Sequence, residues 1–133
     1  MNLHSVEKIG GTSMSDYAAV RDNIILRPNN AETLYQRVFV VSAYSGITDQ
    51  LLEHKKTGQP GVYALFANGV NDTSWRDALE LLKEQMLDIN TSLFTEESLL
   101  KQANEFIVER LDEAEQCLRD LHHLCQHGHF ALD

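Results

Sequence analysis

Apolar residues recur along this chain in two rhythms, and the change between them divides it. Leu3–Ile9 alternates imperfectly between apolar and polar and stops at Gly10-Gly11, which predicts a short strand ended by a turn. Arg37–Ala43 reads R-V-F-V-V-S-A. Its run of consecutive apolar residues predicts a strand buried on both faces, as in a parallel sheet. Between the two, Met14, Tyr17, Ala18, Ile24 and Ile25 fall on one side of a helix. Ser13 or Ser15 is placed to cap it, and Pro28-Asn29-Asn30 stops it near Arg27. Tyr44-Ser45-Gly46 predicts a second turn, followed by a helix from Ile47 to about Lys56 that Thr57-Gly58-Gln59-Pro60-Gly61 breaks. Val62–Ala67 fits strand and helix equally badly and is assigned to helix.

Further on, the spacing becomes three and four throughout. Ser74-x-x-Asp77 has the form of a capping box. It precedes a stripe of Trp75, Ala78, Leu79, Leu82, Met86 and Ile89. Thr95 is placed to cap a long final helix, with Glu96 and Glu97 in its first turn. Leu100, Ala103, Ile107, Leu111, Ala114, Leu118, Leu121 and Cys125 then make one apolar stripe over about seven turns. The order is β-α-β-α followed by helix. Two buried-type strands joined by a helix form a right-handed parallel unit. Two strands are too few for a sheet that four or more helices can cover, which implies strands beyond this sequence.

Composition narrows the class. The chain has 133 residues, 43% of them hydrophobic and 23% charged, as expected for one soluble domain or part of one. No apolar run approaches the ~20 residues that cross a bilayer, and the first residues lack the apolar core of a secretory leader. The expected location is the cytoplasm. Cys117 and Cys125 on one helix would stand roughly 12 Å apart, beyond disulfide reach. They are read as reduced thiols on or near a core face. Residues 1–60 are charge-neutral, and residues 61–133 carry the whole net charge of −9. An acidic half repels nucleic acid and anionic membrane, so neither is an expected partner, and an anionic ligand is better placed in the neutral first half.

That half holds the candidate chemistry. Residues 6–14 read V-E-K-I-G-G-T-S-M: a cation, two glycines and two hydroxyls in close succession. In open α/β sheets, ligands bind at the carboxyl ends of the strands. Gly10–Ser13 follows the first strand, and Ser42–Thr48 (S-A-Y-S-G-I-T) follows the second. If the strands are parallel, the two turns share one sheet edge. Lys8 precedes the glycines, so the stretch is not a P-loop, and G-x-G-x-x-G is absent too. The chemistry alone reaches an anion or phosphate site. His122, His123, Cys125, His127 and His129 offer a rival metal site. A helix end is the better reading of that tail: histidines suit the dipole and Gly128 the cap, so no metal site is assigned.

Together the two stretches resemble a family. K-I-G-G-T-S followed some thirty residues later by V-V-S-A-Y-S-G-I-T-D-Q-L looks like the aspartokinase form of the amino acid kinase family, whose usual pattern is K-F-G-G-T-S, then V-S-A-x-x-G-x-T-(D/N)-x-L. The match covers about the first fifty residues, with Ile9 replacing Phe. The stretch H-K-K-T-G-Q-P-G-V-Y-A-L-F is similar to the branch found beside ectoine biosynthesis genes. The resemblance implies an α/β fold, here an incomplete three-layer αβα domain with a short parallel sheet and a helix-rich second half. It would divide into a substrate- and phosphate-binding part at 1–57 and a helical part at 58–133. It implies transfer of the γ-phosphoryl group of ATP, as its Mg2+ complex, to the side-chain carboxylate of L-aspartate, in a homo-oligomer. By this resemblance Lys8 would neutralise the transferring group and Gly10, Gly11, Thr12 and Ser13 would meet the phosphates. Ser42, Ala43 and Thr48 would line the aspartate pocket. The Gly-Glu pair that follows the long helix in this family is absent, as are the nucleotide-binding half and the regulatory domains. The expectation is an N-terminal fragment, inactive alone. The alternatives are another amino acid kinase, such as one acting on glutamate, and a non-catalytic helical interaction module that retains a phosphate-binding turn.

Overall fold

A computed structural model of the chain describes residues 4–26, 35–69 and 73–128. These residues form two compact units, divided between Ile47 and Thr48. The first is α/β. Strand β1 (Ser5–Ile9) pairs in parallel with β2 (Arg37–Val41), with Lys8 opposite Val40 and Ile9 opposite Val41. Among the described residues the sheet has these two strands only. Leu3 lies outside the described residues, and β2 ends at Val41 instead of running to Ala43.

The helix predicted after the first turn is broken into pieces. Helix α1 (Gly11–Met14) starts directly at the glycines, with Gly10 as its N-cap and no side-chain cap. Neither serine therefore caps it; the Ser15 hydroxyl donates back to the Gly11 carbonyl at 3.3 Å. Asp16 instead caps α2 (Tyr17–Val20) by accepting from the Ala19 N–H at 3.1 Å. A carboxylate so placed starts a new helix, because it satisfies an N–H that would otherwise lack a partner. A π-helical segment, Arg21–Ile25, follows. Ile9, Met14 and Val20 are buried together, and Tyr17, Ile24, Ile25, Phe39 and Tyr44 pack against them.

The second unit is helical. Helix α3 (Ile47–Leu51) crosses the division and is shorter than predicted. The chain turns back at once: the Gly61 N–H donates to the Leu52 carbonyl at 3.0 Å and Glu53 bridges Pro60, so the helix cannot continue to Lys56. Gly61 is a close approach. A Cβ there would lie 2.5 Å from the Gln50 carbonyl oxygen and 2.7 Å from that of Asp49. Helix α4 (Val62–Asn68) occupies the ambiguous stretch, and α5 (Ser74–Leu93) and α6 (Glu97–Gly128) match their stripes. The residue before α5 is Thr73, which makes no side-chain cap bond. Helix α6 begins two residues beyond Thr95. Val62, Phe66, Trp75 and Leu79 form the core, with Leu111, Leu118 and Leu121 of α6 packed on it. Phe66 and Trp75 meet edge to face at 5.6 Å. Leu82 is wholly buried. Asn90, also buried, donates to the Asn104 carboxamide across α5 and α6 at 3.0 Å. Both cysteines are free; Cys117 is exposed, so it is not on a core face as expected. No helix among the described residues is long and apolar enough to cross a membrane.

Candidate functional site

Parallel pairing puts the carboxyl ends of β1 and β2 together, and with them the two turns. The Ser42 N–H donates to the Ile9 carbonyl at 3.0 Å, which carries the pairing one step past the strands. A Cβ on Gly11 would stand 3.5 Å from the Ser42 hydroxyl and 3.5 Å from the Ala43 carbonyl oxygen. Gly10, Gly11, Thr12, Ser13, Ser42 and Ala43 therefore surround one edge of the sheet. Lys8 lies two residues before the glycines, exposed, and forms no ion pair with any described residue. The first N–H groups of a helix have no acceptor within it, and no side chain caps α1. The edge thus offers backbone donors, hydroxyls and a cation that no described residue pairs, a set suited to an anion.

Neither glycine is required by the chain itself. Gly10 has φ −77 and ψ 165, extended backbone open to any residue, and nothing lies within 4 Å of where its Cβ would be. At Gly11 an added Cβ meets only ordinary van der Waals contacts. In the second turn Gly46 differs, since its φ of 85 lies in the left-handed region that disfavours side chains. The second turn is anchored from below by Tyr44, which packs into the Ile9–Met14–Val20 core. Burial, with a smaller contribution from Tyr17, pushes the Tyr44 phenol above its ordinary range.

Thr48 begins the second unit. It lies inside the first turn of α3, its carbonyl accepting the Leu52 N–H at 3.0 Å, and it is not the cap of that helix. In the histidine tail, His123 and His127 stack, and Gln126 and His122 share a hydrogen bond. Among the described residues no group of three or more metal-ligating side chains is assembled, and His129 lies outside them.

One functional-scale feature escaped the sequence. Arg37, with its side chain 7% exposed, makes a bidentate pair with Glu7, Nε to Oε1 and Nη2 to Oε2, both at 2.6 Å. Opposite charges on facing strands were the available signal.

The comparisons extend the resemblance beyond the motifs. No protein-family model and no solved structure matches the chain. Aspartate kinase Ask_Ect of Stutzerimonas stutzeri (strain A1501) is 53% identical over 130 residues, which is 98% of this chain and 27% of that protein. The chain thus spans about a quarter of the length of the curated relative it matches. Over nearly its whole length, and not in its two turn motifs alone, this chain is related in sequence to an aspartate kinase.

Proposed function

We propose that this sequence supplies the phosphate- and aspartate-binding edge of an ATP-dependent aspartate kinase. One observation carries the proposal: two glycines that the fold does not need follow β1 at the carboxyl ends of parallel strands, the second of them beside Ser42 and Ala43. A residue without a side chain, where a side chain would fit, is explained by something outside the chain coming close to the backbone. Lys8 and the turn N–H groups fit an anion there. In the proposed reaction a side-chain carboxylate oxygen of L-aspartate attacks the γ-phosphorus of ATP. The bond from that phosphorus to the β–γ bridging oxygen breaks, leaving ADP and 4-phospho-L-aspartate. Phosphoryl transfer of this kind depends mainly on positioning and charge stabilisation. Lys8 takes the charge of the transferring group, and Gly10, Gly11, Thr12 and Ser13 hold the phosphates. Ser42, Ala43 and Thr48 hold the aspartate. Mg2+ enters with the nucleotide and neutralises phosphate charge.

The name of the relative supports the ectoine-associated branch of these kinases. The activity belongs to a longer protein that carries this sequence, because the share of the relative matched here leaves most of that enzyme unaccounted for. The test is Lys8→Ala in that full-length protein. Loss of a contact to developing charge lowers kcat on the order of 100-fold or more. A variant with wild-type kcat removes Lys8 from the chemistry and sinks the proposal.

A further inference from the structure

The alignment of the two turns depends on the register of two five-residue strands, and the apolar pattern does not set that register. Side chains alternate with period two along a strand, so a two-residue slip keeps every residue on its own face. β2 has no buried residue, since Val38, Val40 and Val41 are exposed and only Phe39 packs on the core, so apolar burial does little to hold it against such a slip. Yet the slip moves one turn past the other by about 6.6 Å at ~3.3 Å per residue. It breaks the Ser42 N–H to Ile9 carbonyl bond and separates Gly11 from Ser42.

Arg37 resists it. Its guanidinium makes the two bonds to Glu7 of β1 and donates to the carbonyls of Ile24 at 2.8 Å and Ile25 at 3.1 Å. It also lies over the Phe39 ring at 4.6 Å. These partners come from β1, β2 and the π-helical segment. A planar fork satisfies them together in one alignment only, since bidentate pairing fixes direction as well as distance. We propose that Arg37 is a positioning residue, holding β1 against β2 in the register that brings the glycine turn beside Ser42 and Ala43. This rests on the reading of that edge as the phosphate and aspartate site.

The experiment is steady-state kinetics of the full-length protein with Arg37→Met and Arg37→Lys, beside Lys8→Ala. A loosened register leaves only a fraction of molecules competent, and apparent affinity falls by that fraction until ligand restores it. The expected result for Arg37→Met is an apparent KM for ATP raised about fivefold or more at low aspartate. It returns toward the wild-type value at saturating aspartate, with kcat little changed. Arg37→Lys, which keeps the charge and loses the fork, falls between, and it decides the matter if Arg37→Met does not fold. Wild-type KM at every co-substrate level, with only a lower Tm, overturns the proposal while Lys8→Ala remains impaired. So does a loss of kcat that saturation does not restore, because that puts Arg37 in the chemistry. Wild-type kcat in Lys8→Ala overturns the underlying site and this inference with it.

Discussion

Gly11→Ala separates a structural glycine from a ligand-binding one. Gly11 is the first residue of α1, in helical conformation, and its added methyl would meet the Ala43 carbonyl oxygen and the Ser42 hydroxyl at 3.5 Å. Those contacts are ordinary, so the folded state accepts the methyl without strain. Replacing glycine by alanine at a compatible position removes freedom from the unfolded chain and stabilises by about 0.4–1 kcal/mol. In a full-length protein several times longer than this chain, the expected Tm is therefore equal to wild type or about a degree higher. Binding moves the other way. The methyl occupies the gap between the two turns, where an anion bonded to the Gly11 N–H or the Ser42 hydroxyl must come close. Loss of one hydrogen bond to a charged group is worth about 1.5–3 kcal/mol, or roughly 10- to 150-fold in kcat/KM. Thermal denaturation and initial-rate assays on the same preparation of the full-length protein give both numbers. A variant with lower Tm and unchanged kcat/KM would refute the reasoning, because the glycine would then serve the fold.

Thr48→Val changes a hydroxyl for a methyl on a residue that is not a cap, so Tm should move by no more than about 0.5 kcal/mol equivalent. The KM for aspartate should rise far more than that for ATP, and equal effects on both would take Thr48 out of the aspartate pocket. Gly61→Ala forces a Cβ against two backbone carbonyls and should cost about 1–3 kcal/mol or more by chemical denaturation; a neutral variant would mean that the loop has room to move. Tyr44 should give an alkaline dependence. Its phenol is raised in the folded state, so its contribution is complete below the unfolded value of ~10 and is lost as pH climbs through the folded one. Melting curves at pH 8 and pH 11 should therefore diverge more for wild type than for Tyr44→Phe, and parallel behaviour would rule the contribution out.

What the sequence disclosed follows the range of each interaction. The V-F-V-V run and the glycine pair announced two strands and their turns, because apolar runs and chain reversal leave local marks. But β2 is not buried on both faces as expected: Val38, Val40 and Val41 are each about half exposed. Parallel pairing then made the shared edge deducible before any coordinate. The stripes of α5 and α6 were legible for the same reason: their periodicity spans many residues. Helix ends were misread where several polar side chains competed. Asp16 took the cap assigned to Ser13 or Ser15, and the return of Gly61 onto Leu52 cut α3 short. Of the Arg37 clamp only the Glu7 half had a signal, opposite charges on facing strands; the other half is backbone carbonyl, which every residue carries and no sequence distinguishes.

The Asn90–Asn104 bond matters to anyone who would move the helical hairpin elsewhere. Leucines pack against leucines in several offsets along a pair of helices, at nearly equal cost. A buried Asn90 and a half-buried Asn104 find each other in one offset, and any other leaves the Asn90 carboxamide dry and unsatisfied. Transplanted into another protein, the hairpin could exchange much of its aliphatic content and keep its alignment. Exchanging the two asparagines for leucines would be the riskier edit: the product would be more greasy and no longer committed to a single arrangement.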